Sequence, residues 1–241
     1  MVKVLTEDPP VKGLSQGQQV VAKLYDPMYM NDDGFYINPF LVADKEYTNE
    51  TAAYQALSDF QGSKIPRYYG SYSLDIPLPG PLEDKRSVRL TLIELITGPS
   101  MPKGEPCGFS QEARQSIMKS LIEFDTLVYA KYMSLSDLHP RNIMLTDRGT
   151  VFIDFGDICF DNSDIPELVT KSFPGMYISP LLRWHKAQDR TYGFENWIDW
   201  DWQHWLEAEF GHTAATIKPE MQERFLPSFL LNRSNSPPPL F

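Results

Sequence analysis

The sequence predicts an α+β fold in two lobes: a first lobe of strands with one helix, and a second lobe that is mainly helical. Three observations predict it. Short apolar runs of strand type crowd the first 98 residues. A long run with apolar residues at helical spacing follows over 110–132. Twenty prolines and fourteen glycines among 241 residues punctuate both parts, which excludes a coiled coil or a simple helical bundle. With 42% hydrophobic residues the chain has enough apolar material for a real core. The expected organisation is one lobe over 1–98, a second over 99–232, and a polar, proline-rich tail over 233–241.

Taken in order, VKV at 2–4 reads as a strand, and QVVAKLY at 19–25 as another, ended by Asp26-Pro27. Residues 28–40 are turn-rich around Asn31-Asp32-Asp33-Gly34. Over 46–60, Glu50, Ala53, Tyr54, Leu57 and Phe60 recur at the spacing of one helical face. A short strand is expected near Tyr68–Tyr72, then a proline-rich loop over 75–84. SVRLTLIELI at 87–96 is apolar enough for a buried strand, and Thr97-Gly98-Pro99 stops it. Ser110 is an N-cap with Glu112 in the first turn, and Ile117, Leu121, Phe124 and Val128 mark the inner face of the helix over 110–132. Two short strands, 143–145 and 151–154, are joined by the turn Thr146-Asp147-Arg148-Gly149. Beyond 160 the pattern loosens, apart from WIDWDWQHWLEAEF at 197–210, which reads as a helix.

Charge and cysteine content narrow the function classes. Lys+Arg number 22 and Asp+Glu 32, a net charge of −10, which argues against nucleic acid as the partner. Cys107 and Cys159 make no disulfide framework, and a reducing compartment is expected. The start, MVKVLTEDPP, lacks the apolar core of a secretory signal, and no apolar run is long enough to span a membrane. The expectation is a cytoplasmic or nuclear protein without membrane contact. The glycosylation sequons at Asn49 and Asn232 then have no use.

Three segments place a charge in an apolar setting. Lys23 lies inside VVAKL and reads alone either as a solvent-facing residue or as the partner of an acid. Glu50 shares its helical face with Ala53, Tyr54 and Leu57. It is a helix-start charge, or a buried acid that needs a lysine from a neighbouring strand. The third segment is sharper: Ser136-Asp137-Leu138-His139-Pro140-Arg141-Asn142, then two strands and Asp154-Phe155-Gly156. Asn142 lies five residues after Asp137, and Asp154 twelve after Asn142. A hairpin would bring Asn142 and Asp154 to the same end of two adjacent strands. Two oxygen donors at one edge suit Mg²⁺, with water and phosphate completing its octahedron. Asp137 is then a third acid, free to orient or deprotonate a hydroxyl. The plain alternative is a turn rich in Asp and Asn with no ligand.

With these residues the sequence resembles the protein-kinase-like superfamily. The resemblance rests on VVAK ending at Lys23, NETAAY containing Glu50, SDLHPRN and the DFG at 154–156, all in the family's order and spanning about residues 15–160. FPGMYISPLLRWH and WIDWDWQHWLEAEF look like segments of fungal kinase-like proteins. The resemblance implies a two-lobed kinase-like fold and an ATP- and Mg²⁺-dependent phosphotransferase. It implies that Lys23 holds the α/β-phosphates and pairs with Glu50, that Asp137 is the catalytic base, and that Asn142 and Asp154 hold Mg²⁺. It also implies that the backbone of Glu94 to Ile96 meets the adenine.

The sequence departs from the family in three places. Leu135 stands where the family has a histidine, two before Asp137. No glycine-rich loop precedes Lys23, so the first strand and phosphate lid are expected to be missing, through a late start or a lost lid. No A-P-E motif follows DFG. His139, two after Asp137, makes the loop resemble that of aminoglycoside and choline phosphotransferases and atypical kinases, and the expected substrate is a hydroxyl-bearing small molecule or protein. The missing glycine loop supports a rival, a pseudokinase scaffold that recruits a protein partner. Other signals carry less. Cys107-Gly108-Phe109-Ser110 matches a glutaredoxin tetrapeptide without the surrounding βαβ unit, the four histidines lack zinc spacing, and the tryptophans at 197, 200, 202 and 205 suit packing better than ligand stacking.

Overall fold

The computed structural model describes residues 2–3, 13–29, 38–78, 84–161 and 173–227. The Asn31–Gly34 turn, residues 79–83 of the proline-rich loop, Asn232 and the tail over 233–241 lie outside the described residues. The described part mixes helices with small sheets and divides into two compact units. The first comprises Met1–Met101 with Arg141–Ile158, and the second Pro102–Pro140 with Cys159–Phe241. The hairpin over 143–152, which the sequence assigns to the second lobe, is thus grouped with the first.

The first unit is built on a four-stranded antiparallel sheet in the order β1-β2-β4-β3. Its strands are β1 (Val2–Lys3), β2 (Gln19–Tyr25), β3 (Tyr68–Pro77) and β4 (Lys85–Glu94). In the register of β2 on β4, Lys23 faces Thr91 and Tyr25 faces Arg89. Val20, Ala53, Tyr54, Leu57 and Ile65 are fully buried and form the centre of this unit. Helix α1 runs Pro39–Ala56, seven residues earlier than the periodicity predicts. Asn38 caps it by accepting from the Phe40 amide, and Pro39 occupies the first turn, where a missing N–H costs nothing. Apolar spacing shows only where a helix has a buried face, and Phe40 and Leu41 are exposed, so the first turns leave no stripe.

Strand β3 outlasts its predicted end at Tyr72 and pairs with β4 as far as Pro77↔Lys85. The hairpin of β6 (Ile143–Thr146) and β7 (Gly149–Phe152) completes the unit. The Phe152 amide donates to the Lys64 carbonyl (2.8 Å) and the Leu145 amide to the Pro99 carbonyl (2.9 Å). Gly98 has φ 131, and a Cβ there would lie 2.1 Å from the Leu145 carbonyl oxygen, so only glycine lets this segment approach β6.

In the second unit α2 runs Gln111–Tyr129, with the Ser110 hydroxyl accepting from the Ala113 amide as the cap predicts. Its predicted extension to 132 does not form. Tyr132 turns left-handed (φ 62) and its carbonyl accepts from the Asp161 amide at 2.8 Å, which ends the helix. Strand β5 (Met133–Leu135) pairs with β8 (Ile158–Phe160). Three helices invisible in the periodicity or shortened follow: α3 (Pro180–Arg183), α4 (Trp202–Phe210) and α5 (Pro219–Phe225). Helix α4 starts five residues later than predicted because Asp201 caps it, accepting from the His204 amide. The tryptophans pack on one another, with Trp202 and Trp205 rings 5.1 Å apart and Trp200 edge-on to Trp205 at 5.7 Å. Tyr129, Ile178, Leu182 and Met221 form a buried cluster flanked by Phe173, Ile217, Phe225 and Leu226.

Candidate functional site

Lys23 is the hub of the first unit's polar residues. Lys23 and Tyr25 lie two apart on β2 and so share a sheet face, the face that α1 covers with Glu50. The Lys23 ammonium pairs with Glu50 Oε2 and with Asp154 Oδ1, the latter at 2.5 Å. Glu50 is wholly buried, whereas the side chain of Asp154 is 49% exposed. The lysine therefore joins an interior acid to one facing solvent. Of the residues singled out by sequence, the structure brings Lys23, Glu50 and Asp154 together.

Electrostatics follow from that arrangement. Burial alone would lower the Lys23 pKa, but the Glu50 and Asp154 charges and their hydrogen bonds outweigh it and hold the ammonium above its usual value. Burial raises the Glu50 pKa against the opposing pull of Lys23. Behind the pair, the hydroxyls of Tyr25, Tyr54 and Thr91 and the second Glu50 oxygen are buried. Burial and then the Glu50 charge push the Tyr25 hydroxyl far above its usual value.

Asp154 ends the hairpin with a left-handed backbone (φ 67), a conformation that costs a non-glycine residue energy and is held by its surroundings. Ile143 pairs with Phe152, and the Ile153 amide donates to the Asn142 carbonyl at 2.9 Å. Asn142, buried, thus sits at the same end of the hairpin as Asp154, as the strand spacing predicts. The ring of Phe155 is buried edge-on against Tyr54, centroids 5.4 Å apart.

Glu46, one turn before Glu50, was not singled out by sequence. Burial is the largest cause raising its pKa from the ordinary 4.5; Lys23 opposes, and Asp157, Asp154 and Glu50 add to the rise. A raised folded-state value stabilises the fold below the unfolded pKa, and that contribution is lost as pH rises through the folded one. Glu46→Gln is therefore expected to gain on wild type as pH climbs from about 4.5 toward neutrality. Denaturation midpoints of both proteins between pH 4 and 8 check it, and a pH-independent difference counts against it.

Glu94 and Ile96 follow a different pattern from Lys23. The Glu94 amide donates to the Arg67 carbonyl (2.8 Å), so that N–H is committed within the unit. Its carboxylate accepts from Arg148 Nη1 (2.8 Å) and from the Arg67 amide (3.0 Å). Burial would raise its pKa, and these bonds outweigh burial and hold it low. Glu94, Ile96, Thr97 and Arg148 line a cleft of about 170 Å³, below the usual 300–1,000 Å³ of a ligand pocket. A larger cleft of about 590 Å³ is lined by Tyr25, Met28, Phe40, Leu41, Leu78 and Val88, among others. Its arginines, Arg86 and Arg89, are already paired with Asp26 and Asp44.

Asp137 belongs to the second unit, in the turn after β5, and is half-buried. Next to it, Ser136 Oγ lies 3.1 Å from Cys159 Sγ. Pro140 is buried, and a Cβ at Gly193 would meet Pro140 and His139 at 3.4 and 3.5 Å, so the 191–193 turn supports this loop.

No protein-family model matches the chain, and no curated protein matches it in sequence. Among solved structures it is similar to a medium-resolution structure of the bifunctional kinase-methyltransferase WbdD, at 18% identity and TM-score 0.45, over 91% of this chain and 46% of that one. It is similar also to a 2.2 Å crystal structure of WbdD (17% identity, TM-score 0.45, 91% and 47% covered). A co-crystal structure of WbdD with the kinase inhibitor LY294002 gives 17% identity and TM-score 0.43, with 91% and 47% covered. The chain spans less than half the length of these proteins.

Proposed function

We propose that the protein is an ATP- and Mg²⁺-dependent phosphotransferase of protein-kinase-like design, acting on a hydroxyl of a small molecule or protein. The observation that carries this reading is the double grip of Lys23 on buried Glu50 and solvent-facing Asp154. Glu50 fixes the ammonium from behind, so that its charge lies beside Asp154, where it meets a phosphate oxygen once a cation offsets the Asp154 carboxylate. Asp154 and Asn142 fit a Mg²⁺ shared with nucleotide, since Mg²⁺ takes one or two protein oxygens and fills the rest with phosphate and water. When bound, the metal supplies charge neutralisation on the transferring phosphoryl group. The Glu94–Ile96 backbone is assigned to the adenine, with the Glu94 amide excluded because it is already bonded. Asp137 orients the attacking hydroxyl and takes its proton.

Thermal shift tests the reading. ATP is expected to stabilise the protein only when Mg²⁺ is present, by about 2.7 kcal/mol at a hundredfold excess over Kd. Asp154→Asn is expected to abolish that Mg²⁺ dependence. An Asp154→Asn protein with the wild-type Mg²⁺-ATP shift would remove Asp154 from metal binding.

A further inference from the structure

One side chain of α1 outside the Lys23–Glu50 pair reaches the Asp154 turn. Asn49 Nδ2 donates to the Gly156 carbonyl at 2.9 Å. Glu46, Asn49 and Glu50 fall at i, i+3 and i+4, so they share the helix face that meets residues 154–157. The approach is close: a Cβ at Gly156 would lie 3.3 Å from Glu46 Cβ. The turn is therefore fixed at three points. Phe155 is buried against Tyr54, the Gly156 carbonyl is bonded to Asn49, and Asp154 is bonded to Lys23.

We propose that Asn49 is a positioning residue, which holds the 154–157 turn on α1 and so keeps Asp154 in its left-handed conformation facing Lys23. The inference rests on the phosphotransferase reading only for its consequence, metal and nucleotide affinity; the positioning itself concerns the chain's own residues. Of the three anchors, Asn49 is the one that grips the backbone of the turn, whereas Phe155 acts through its ring and Lys23 through the Asp154 carboxylate. Lys23 grips the carboxylate, whose bond survives rotation of the Asp154 backbone if the side chain follows. A hydrogen bond to the Gly156 carbonyl fixes the Gly156–Asp157 peptide at the far end of the turn and so restricts how residues 154–156 can rearrange. A neutral hydrogen bond of this kind shifts a local equilibrium by about tenfold, comparable to the preference a non-glycine residue has for leaving the left-handed region.

The experiment is hydrogen exchange by mass spectrometry on the full chain, wild type against Asn49→Leu and Asn49→Asp, neither of which can donate, with Asn49→Gln as the conservative variant. Exchange is expected to rise about tenfold at the Gly156 and Ile158 amides. It should be unchanged in α2 and recover in part in Asn49→Gln. The affinity for Mg²⁺-ATP should fall by a similar factor. Wild-type exchange at the turn in both non-donating variants overturns the proposal, as does a rise spread equally over α2. If Asn49→Leu fails to fold, the isosteric Asn49→Asp decides. Faster exchange at the turn in a protein whose wild type shows no Mg²⁺-ATP binding upholds the positioning role and removes the phosphotransferase reading.

Discussion

Asp125→Ala is expected to cost about 3–5 kcal/mol of stability, the range measured when one member of a buried ion pair is removed. Asp125 lies on α2 with its side chain wholly buried, and its carboxylate accepts four hydrogen bonds. Arg183 Nη2 donates to both oxygens at 2.8 and 2.9 Å, Arg190 Nη2 to Oδ1 at 2.9 Å, and Trp184 Nε1 to Oδ2 at 3.0 Å. The Arg183 side chain is 2% exposed, and its Nε and Nη1 find no hydrogen bond among the described residues. Its guanidinium carbon lies 3.8 Å above the Tyr129 ring, one turn along α2 from Asp125, which offsets part of that loss. Burial holds the Arg183 pKa below its usual value, with Asp125 opposing and Arg190 adding to the depression. Truncating Asp125 thus leaves one arginine buried beside another without a counter-charge.

The measurement is chemical denaturation followed by tryptophan fluorescence, since Trp184 belongs to the cluster. Asp125→Asn keeps one acceptor oxygen and loses the charge, so its loss should fall between wild type and Asp125→Ala. A loss below about 1 kcal/mol for Asp125→Ala would mean that the cluster relaxes into water and does not hold the second unit together.

This network was not legible in the sequence, and the reason is physical. Asp125 falls between Phe124 and Val128 in a stripe whose apolar members alone signal a helix. Its partners lie 58, 59 and 65 residues further on, in a stretch where four-residue α3 and the following turns leave no periodic pattern. A polar group on an apolar stripe announces that a partner exists, never where it is. Glu50 shows the contrast. It breaks an apolar face in the same way, but a lone lysine within a predicted strand stood ready as its partner, and the structure joins the two. The pairing of Asn142 with the end of the Asp154 strand was legible for a different reason: a short hairpin fixes register, so spacing alone places its ends.

What stayed hidden in the site is the third dimension of α1. The sequence assigns Glu50 to the apolar stripe but gives no means of seeing Glu46 and Asn49 against Gly156, because both are polar and read as solvent-facing. The second grip of Lys23, on Asp154, is not legible because the metal role assigned to Asp154 leaves the lysine one partner. The tie of Glu94 to Arg148 also spans two separate strand pairs, and nothing local in β4 announces it.

Asp137→Asn is expected to lower phosphoryl transfer by about 10²-fold or more, the usual worth of a positioned base, and to leave Mg²⁺-ATP stabilisation nearly unchanged. The expectation follows from the division of labour proposed above. Lys23, Asn142 and Asp154 are grouped in the first unit and are assigned to nucleotide and metal. Asp137 stands in the second unit, in a turn supported by buried Pro140 and the 191–193 segment, and is assigned to the substrate hydroxyl alone. Asparagine keeps the size and one acceptor oxygen, so the turn should persist while the proton acceptor is lost. ATP turnover by wild type and Asp137→Asn, with and without hydroxyl-bearing substrates, is the measurement. Equal turnover in both, above a buffer blank, would take Asp137 out of the reaction. Turnover in neither, with Mg²⁺-ATP binding intact in both, would leave a nucleotide-binding scaffold, in which Lys23 meets the phosphates and Asp154 the metal without transfer.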